Sequence, residues 1–318
     1  MKRLIIGLLA IIALAVLFGC TKKSKTETAE RADKLNIVAT TFPCYDFARA
    51  VVKDKADITL LLRPGSEIHS FDPSPSDIIK IQQADLFIYV GGESDVWVEK
   101  TLESADLSKV KIVRLMEFIT PYEEEVIEGM TEEEEATEEE EEEEYDEHIW
   151  TSPANAIALT SALAEIISGL DPKNAESYNS SAAAYIAEIR GIQAEIAEVV
   201  KNAKRKKILV ADRFPFRYLA EEYNLEYAAA FPGCSAEIDA SAATVAFLIN
   251  TVKNEELPYI YYIELSNQRI ADTIKEETGV KTLELHSAQN ITGDEFARGE
   301  TYVTLMKRNV QNLKLGLE

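Results

Sequence analysis

The stretch Ile58-Thr-Leu-Leu-Leu62-Arg-Pro-Gly-Ser-Glu-Ile-His69-Ser-Phe-Asp-Pro-Ser-Pro-Ser-Asp77 decides the fold. Its apolar run, Ile58 to Leu62, reads as a buried strand. The run breaks at Pro64-Gly65 into a polar loop carrying His69, and Ser76 then opens a helical pattern. Strand, loop and helix in that order make one unit of an open α/β sheet, and ligand sites gather at the carboxyl ends of such strands. A single loop histidine is usually only a solvated side chain. Its scarcity weighs the other way, because the 318 residues include only three histidines, His69, His148 and His286, each read at a strand-to-helix junction. Neutral imidazole is the commonest metal ligand among side chains, so three of them at equivalent positions point to one converging site.

Outward from this unit the same alternation repeats. Strands are expected at 35–41, 57–62, 85–91 and 110–115, with helices at 45–53, 76–83 and 95–103. A second series has strands at 208–211, 225–231, 259–265 and 281–285, and helices at 215–223, 240–254, 267–278 and 294–317. Strands this apolar, each followed by a helix-length segment, argue for parallel sheets covered on both faces. From Lys173 to Ala203 there is no proline, and Tyr178, Ala182, Tyr185, Ile189, Ile192, Ile196, Val199 and Val200 recur at helical spacing. That periodicity predicts one long amphipathic helix. The expected fold is therefore α/β, with two βα lobes (35–170 and 206–318) joined by a bridging helix (171–205) and a site in the cleft between them.

The amino-terminal end carries a different message. Lys2 and Arg3 precede an almost wholly apolar run from Leu4 to Phe18, which matches an export signal and is short for a membrane span. The run closes on Leu17-Phe18-Gly19-Cys20, which resembles a bacterial lipoprotein signal; residues 1–19 are then removed and Cys20 is lipidated, anchoring the protein outside the cell membrane. Residues 20–34 read as a flexible tether. The net charge is −23, but 17 acids and no Lys or Arg fall between Glu123 and Glu147, so the remainder is only mildly acidic. Nothing suggests a nucleic-acid partner, which would need a basic face. The acidic run reads as a self-repelling surface loop that attracts divalent cations and ends beside His148.

The segments around His69 and His148 (Glu-His-Ile-Trp-Thr-Ser-Pro), the stretch Phe216 to Leu225 and the Tyr302 to Leu317 helix together resemble the zinc and manganese substrate-binding lipoproteins of bacterial ABC transporters, the cluster A-I group. The resemblance covers 35–318. It implies two βα lobes bridged by a rigid helix, one divalent transition metal between them, an ABC permease as partner, and a monomer. Many zinc-specific members carry a His- and acid-rich loop before the second histidine; here the loop has Glu and no His. His69 and His148 match the first two ligands. Arg213 stands at the third position and cannot coordinate a metal, because it stays protonated. Either Asp212 takes that role or water does. The fourth position of the family is commonly an Asp before Ser; here His286 stands there before Ser287, an exchange of one metal ligand for another, and Glu264 is a further junction carboxylate, read more readily as a hydrogen-bond partner than as a ligand.

Imidazoles with an optional carboxylate suit four-coordinate Zn(II) better than Mn(II), which favours more carboxylates. Cys44 and Cys234 each follow a Pro-containing turn, one per lobe, and read either as a disulfide across the cleft or as separate buried thiols. A three-His site also describes catalytic zinc. The chain has no His-Glu-x-x-His helix and no nucleophile motif, so a zinc hydrolase is the second reading and a surface adhesin on the same scaffold the third.

Overall fold

The computed structural model describes residues 34–66, 68, 71–130, 144–235 and 239–318. The export signal, Cys20 and His69 lie outside the described residues. Eight strands form two four-stranded parallel sheets. The first holds β1 (Leu35–Ala39), β2 (Ala56–Leu60), β3 (Leu86–Tyr89) and β4 (Lys111–Arg114), in the order β2-β1-β3-β4. The second holds β5 (Lys207–Arg213), β6 (Glu226–Phe231), β7 (Tyr259–Tyr262) and β8 (Lys281–Glu284), in the matching order β6-β5-β7-β8. Each sheet thus reverses direction between its first and third strands. The crevice beyond the carboxyl ends of those strands is the place where open α/β sheets hold ligands.

The strands form where β-branched and aromatic residues alternate between two covered faces. In β1, Ile37 and Ala39 face one core and Val38 faces another; in β5, Ile208 and Val210 part from Leu209 and Ala211 in the same way. The inner faces of both sheets share a single core. It includes Ile37 and Ile88 from the first sheet, Ile208 and Tyr261 from the second, and the helices α1 (Phe42–Val52), α4 (Pro153–Leu170), α5 (Ala175–Asn202) and α10 (Tyr302–Leu317). The outer face of each sheet has its own smaller core. In the first sheet it is closed by α2 (Pro75–Gln82) and α3 (Val96–Ser104), and in the second by α7 (Ala242–Asn254) and α8 (Arg269–Thr278).

α5 is the bridging helix that the sequence predicts. Its 28 residues span about 42 Å at 1.5 Å per residue. Ile189, Ile192 and Ile196 are fully buried along it, and truncation of any one to Ala is expected to cost about 2–5 kcal/mol. Asp46 of α1, also fully buried, adds a polar joint: it accepts from Tyr302 N of α10 at 3.0 Å, from Arg49 at 2.7 Å, and from the Tyr185 hydroxyl of α5.

Two expectations need correction. The helix expected over 294–317 is two helices, α9 (Gly293–Arg298) and α10, because Gly299 adopts φ 75° and Thr301 caps the second through Thr304 N. The acidic run is not wholly a loop. Tyr122 to Glu124 and Glu144 to Asp146 run antiparallel, with Glu124 N donating to Glu144 O at 2.8 Å and Asp146 N to Tyr122 O at 2.9 Å. Met130 is buried in the shared core, and Glu125 pairs with Arg217 of α6 (Arg217–Tyr223). The apolar Ile127 and Met130 within the run supply the burial that its charge cannot.

Candidate metal centre

His148 follows this two-stranded stem and precedes α4; no strand leads directly into it. Its ring is fully buried. The Asp146 carboxylate accepts from His148 N at 2.7 Å, and its Oδ1 lies 3.1 Å from His148 Nδ1. A carboxylate accepts only, so Nδ1 carries a proton, and in the neutral ring Nε2 is left with its lone pair. Nε2 is buried and has no hydrogen-bond partner among the described residues. Burial works against charge on this imidazole, but Asp146 outweighs it and holds the pKa up at about 8. The ring also rests against Trp150, whose Nε1 donates to Ser287 O at 2.8 Å and so ties this segment to the loop after β8.

Glu147 faces the first sheet. It accepts from Ser94 N at 2.9 Å and from the Ser94 hydroxyl, and Gln289 Nε2 lies 3.3 Å from its Oε1. A side chain at Gly92 would meet the Glu147 carboxylate at 2.9 Å, and φ 105° there is open mainly to glycine.

His286 is equally buried but is wired differently. Its backbone N and O are both held by Asn309 of α10, at 2.8 and 2.7 Å, and its Nδ1 accepts from Ala288 N at 2.9 Å. A neutral imidazole that accepts at one nitrogen carries its proton on the other, so Nε2 here is a donor rather than a free lone pair. Glu264 Oε2 stands 3.6 Å from Nδ1, too far for a hydrogen bond, and accepts instead from Ser287 N at 2.7 Å. Glu264 thus frames the loop backbone, as its hydrogen-bonding reading expects. In this tautomer His286 Nε2 would have to give up its proton before it could ligate a metal.

A cavity of about 40 Å³ opens at the switch point of the second sheet. It is lined by Asp212 and Arg213 at the end of β5, Glu264 after β7, Gln289 after β8, and Ser66 and Ile68, which precede His69 in the chain. The β5–β6 register shifts between Val210 and Arg213, a bulge that re-aims both Asp212 and Arg213. Asp212 accepts from Arg213 N at 2.9 Å and from the Ser266 hydroxyl, while burial raises its pKa. Arg213 Nη1 reaches Ser235 O at 3.3 Å. Asp212 therefore meets the neighbours of His69 across the cavity, and Glu147 and Gln289 connect His148 to the same wall. Sequence reasoning missed Asp146 and Gln289. The only available signal for Asp146 was a carboxylate two residues before a histidine.

The disulfide reading is not met. Cys44 and Cys234 are separate buried thiols. Cys44 is packed in the shared core, 3.4 Å from the Thr41 hydroxyl, and burial raises its pKa to about 12; burial also raises that of Cys234. Thiols held protonated in this way are poor partners for exchange.

The family model described as zinc-uptake complex component A, periplasmic, matches residues 37–316. The zinc-binding lipoprotein AdcA of Streptococcus pneumoniae is 34% identical over 310 residues, 96% of this chain and 60% of the relative. This chain thus spans well under two thirds of that protein's length. The high-affinity zinc uptake system protein ZnuA of Bacillus subtilis is 34% identical over 313 residues, 97% of this chain and 96% of the relative. Among solved structures, the Zn(II)-bound ZnuA-like domain of Streptococcus pneumoniae AdcA superposes with a TM-score of 0.73 at 33% identity, covering 89% of this chain and 99% of that one.

Proposed function

We propose, on the premise that the chain belongs to the zinc-uptake complex component A family, that it is an extracytoplasmic receptor that captures Zn(II) and passes it to an ABC permease. Its chemistry is coordination, not turnover. One observation carries the reading: His148 Nε2 is buried with no hydrogen-bond partner among the described residues while Asp146 holds the proton of the other ring nitrogen, so loss of one proton leaves a lone pair at Nε2. That is the arrangement in which an imidazole binds zinc, oriented and made more basic by a carboxylate behind it. His69, whose flanks line the cavity, is the second proposed ligand. Asp212 is the proposed oxygen donor from the opposite lobe, once zinc displaces the proton that burial favours on it. His286 holds the loop that forms the cavity wall. The receptor is a monomer anchored through a lipid on Cys20.

Calorimetry of the metal-stripped full-length protein tests the reading. One Zn(II) bound per chain is expected, with proton release; absence of one-to-one binding would remove the receptor function. Mass analysis of protein extracted from membranes tests the anchor, and a mature chain without an acylated Cys20 would refute it.

A further inference from the structure

The acidic run reads in the sequence as a surface loop, yet besides Asp146 and Glu147 at its end a carboxylate near its start reaches the metal centre. Glu124 stands on the stem strand opposite Glu144, one step along from the pairing that holds Asp146. Its Oε1 accepts from Gly233 N at 2.5 Å and lies 3.4 Å from Cys234 N. Gly233 is pressed into the site from the other lobe. A Cβ at that position would stand 2.9 Å from Phe214 O, 3.3 Å from Asp146 Oδ2 and 3.3 Å from His148 Nδ1. The turn after β6 therefore backs the Asp146–His148 pair, and Glu124 holds that turn in place.

The second carboxylate oxygen of Glu124 is buried without a hydrogen-bond partner among the described residues. A buried acceptor left unsatisfied is costly, and a fold that retains one has it placed by something other than local stability. Here the placing contacts are the two successive backbone N–H groups, which suit a carboxylate and draw it across the interlobe boundary.

We infer that Glu124 is a positioning residue for His148: it latches the Gly233–Cys234 turn against the Asp146–His148 pair, and the base of the acidic run is thereby part of the zinc site. The inference rests on the receptor reading above. Glu124 touches no metal. It acts through the turn, limiting rotation of the ring whose Nε2 meets the cargo, so it governs how long zinc stays bound.

Three variants of the full-length protein test this: Glu124→Ala, Glu124→Gln, and Glu128→Ala as a control from the same acidic segment. Zinc affinity is read by competition with a chelating dye, dissociation by stopped flow, and ligand geometry by the visible spectrum of the Co(II)-loaded protein. Glu124→Ala is expected to weaken zinc binding by about 10- to 100-fold, the usual effect of removing an outer partner of a ligand. The loss should appear mainly as faster dissociation, with an altered Co(II) spectrum. Glu124→Gln, which keeps the accepting oxygen, should recover most of it, and Glu128→Ala should match the parent. Parent-like dissociation and spectrum in Glu124→Ala would overturn the latch, as would equal losses in Glu124→Ala and Glu128→Ala. A parent protein that binds no zinc would instead overturn the receptor reading, so the two failures are distinct.

Discussion

His148 sits where the acidic run ends, and His286 sits just beyond β8. Both rings are buried, and both leave Nε2 without a partner among the described residues. Their other nitrogens have opposite roles. In His148 Nδ1 faces the Asp146 carboxylate, and in His286 it faces the Ala288 amide. A carboxylate fixes the proton on Nδ1 and frees Nε2 for metal, whereas an amide donor fixes the proton on Nε2 and withdraws it. One neighbouring group therefore separates the two equally buried histidines, and on the proposed reading it makes His148 the ligand. Residue type and position in the sequence, the signals that single out all three histidines, cannot make that distinction.

The largest expected effect separates the two directly. His148→Ala should weaken zinc binding by more than the roughly 100-fold that an outer partner is worth, while His286→Ala should stay within that range, both measured by chelator competition. Equal losses would break the comparison.

The second effect concerns protons. The pKa of His148 stands near 8 in the metal-free fold, above the ordinary value of 6.5. Its contribution to metal-free stability is therefore complete below about pH 6.5 and is lost as pH rises through about 8. Zinc needs the neutral ring, so affinity should run the other way. It should rise by about tenfold per pH unit below pH 8, through this group alone, and level off above it. A titration from pH 6 to 9 checks both slopes, and affinity that is flat across the range would count against His148 as a ligand.

The third effect is on stability. His286→Ala leaves the Ala288 amide without its acceptor and should lower metal-free stability by about 1–3 kcal/mol in urea unfolding. An unchanged midpoint would mean that Nδ1 is not its partner in solution. The smallest effect is expected from the cysteines. Reductant should leave zinc affinity unchanged, and both thiols should react with a thiol reagent only on unfolding; thiols absent from unreduced, unfolded protein would restore the disulfide.

Much of this fold was legible because strand and helix periods are local. The 173–203 periodicity buries a face that the sequence displays openly, and the parallel sheets follow from apolar runs separated by helices; the run Ile58 to Leu62 overlaps the edge strand β2, where Ile58 to Leu60 are half-buried and only Leu61 and Leu62, past its end, are buried. The site was legible in its residue types but not in its wiring. Asp146 and Ala288 are both two residues from a histidine, and nothing in the chain says which one turns its polar group towards the ring. Arg213 marked the place where a simple transfer of ligands fails, and the bulge beside it is set by β5–β6 pairing rather than by local sequence. Glu124 could not be told apart from its neighbours in a run of near-identical charges. Its role depends on Gly233, 109 residues away, and contacts at that separation leave no local pattern.

The shared inner core has a consequence for the chain as a covalent object. Ile37 and Ile88 belong to the same apolar cluster as Ile208 and Tyr261, and α1, α4, α5 and α10 all pack within it. The two sheets are thus sides of one interior rather than beads on a string. A polypeptide ending at Met130 and a second beginning at Glu144 would each expose a large part of that interior, with Met130 itself among its residues. Expressed together, such halves are expected to find one another and rebuild the receptor without a peptide link, whereas either alone should remain unfolded.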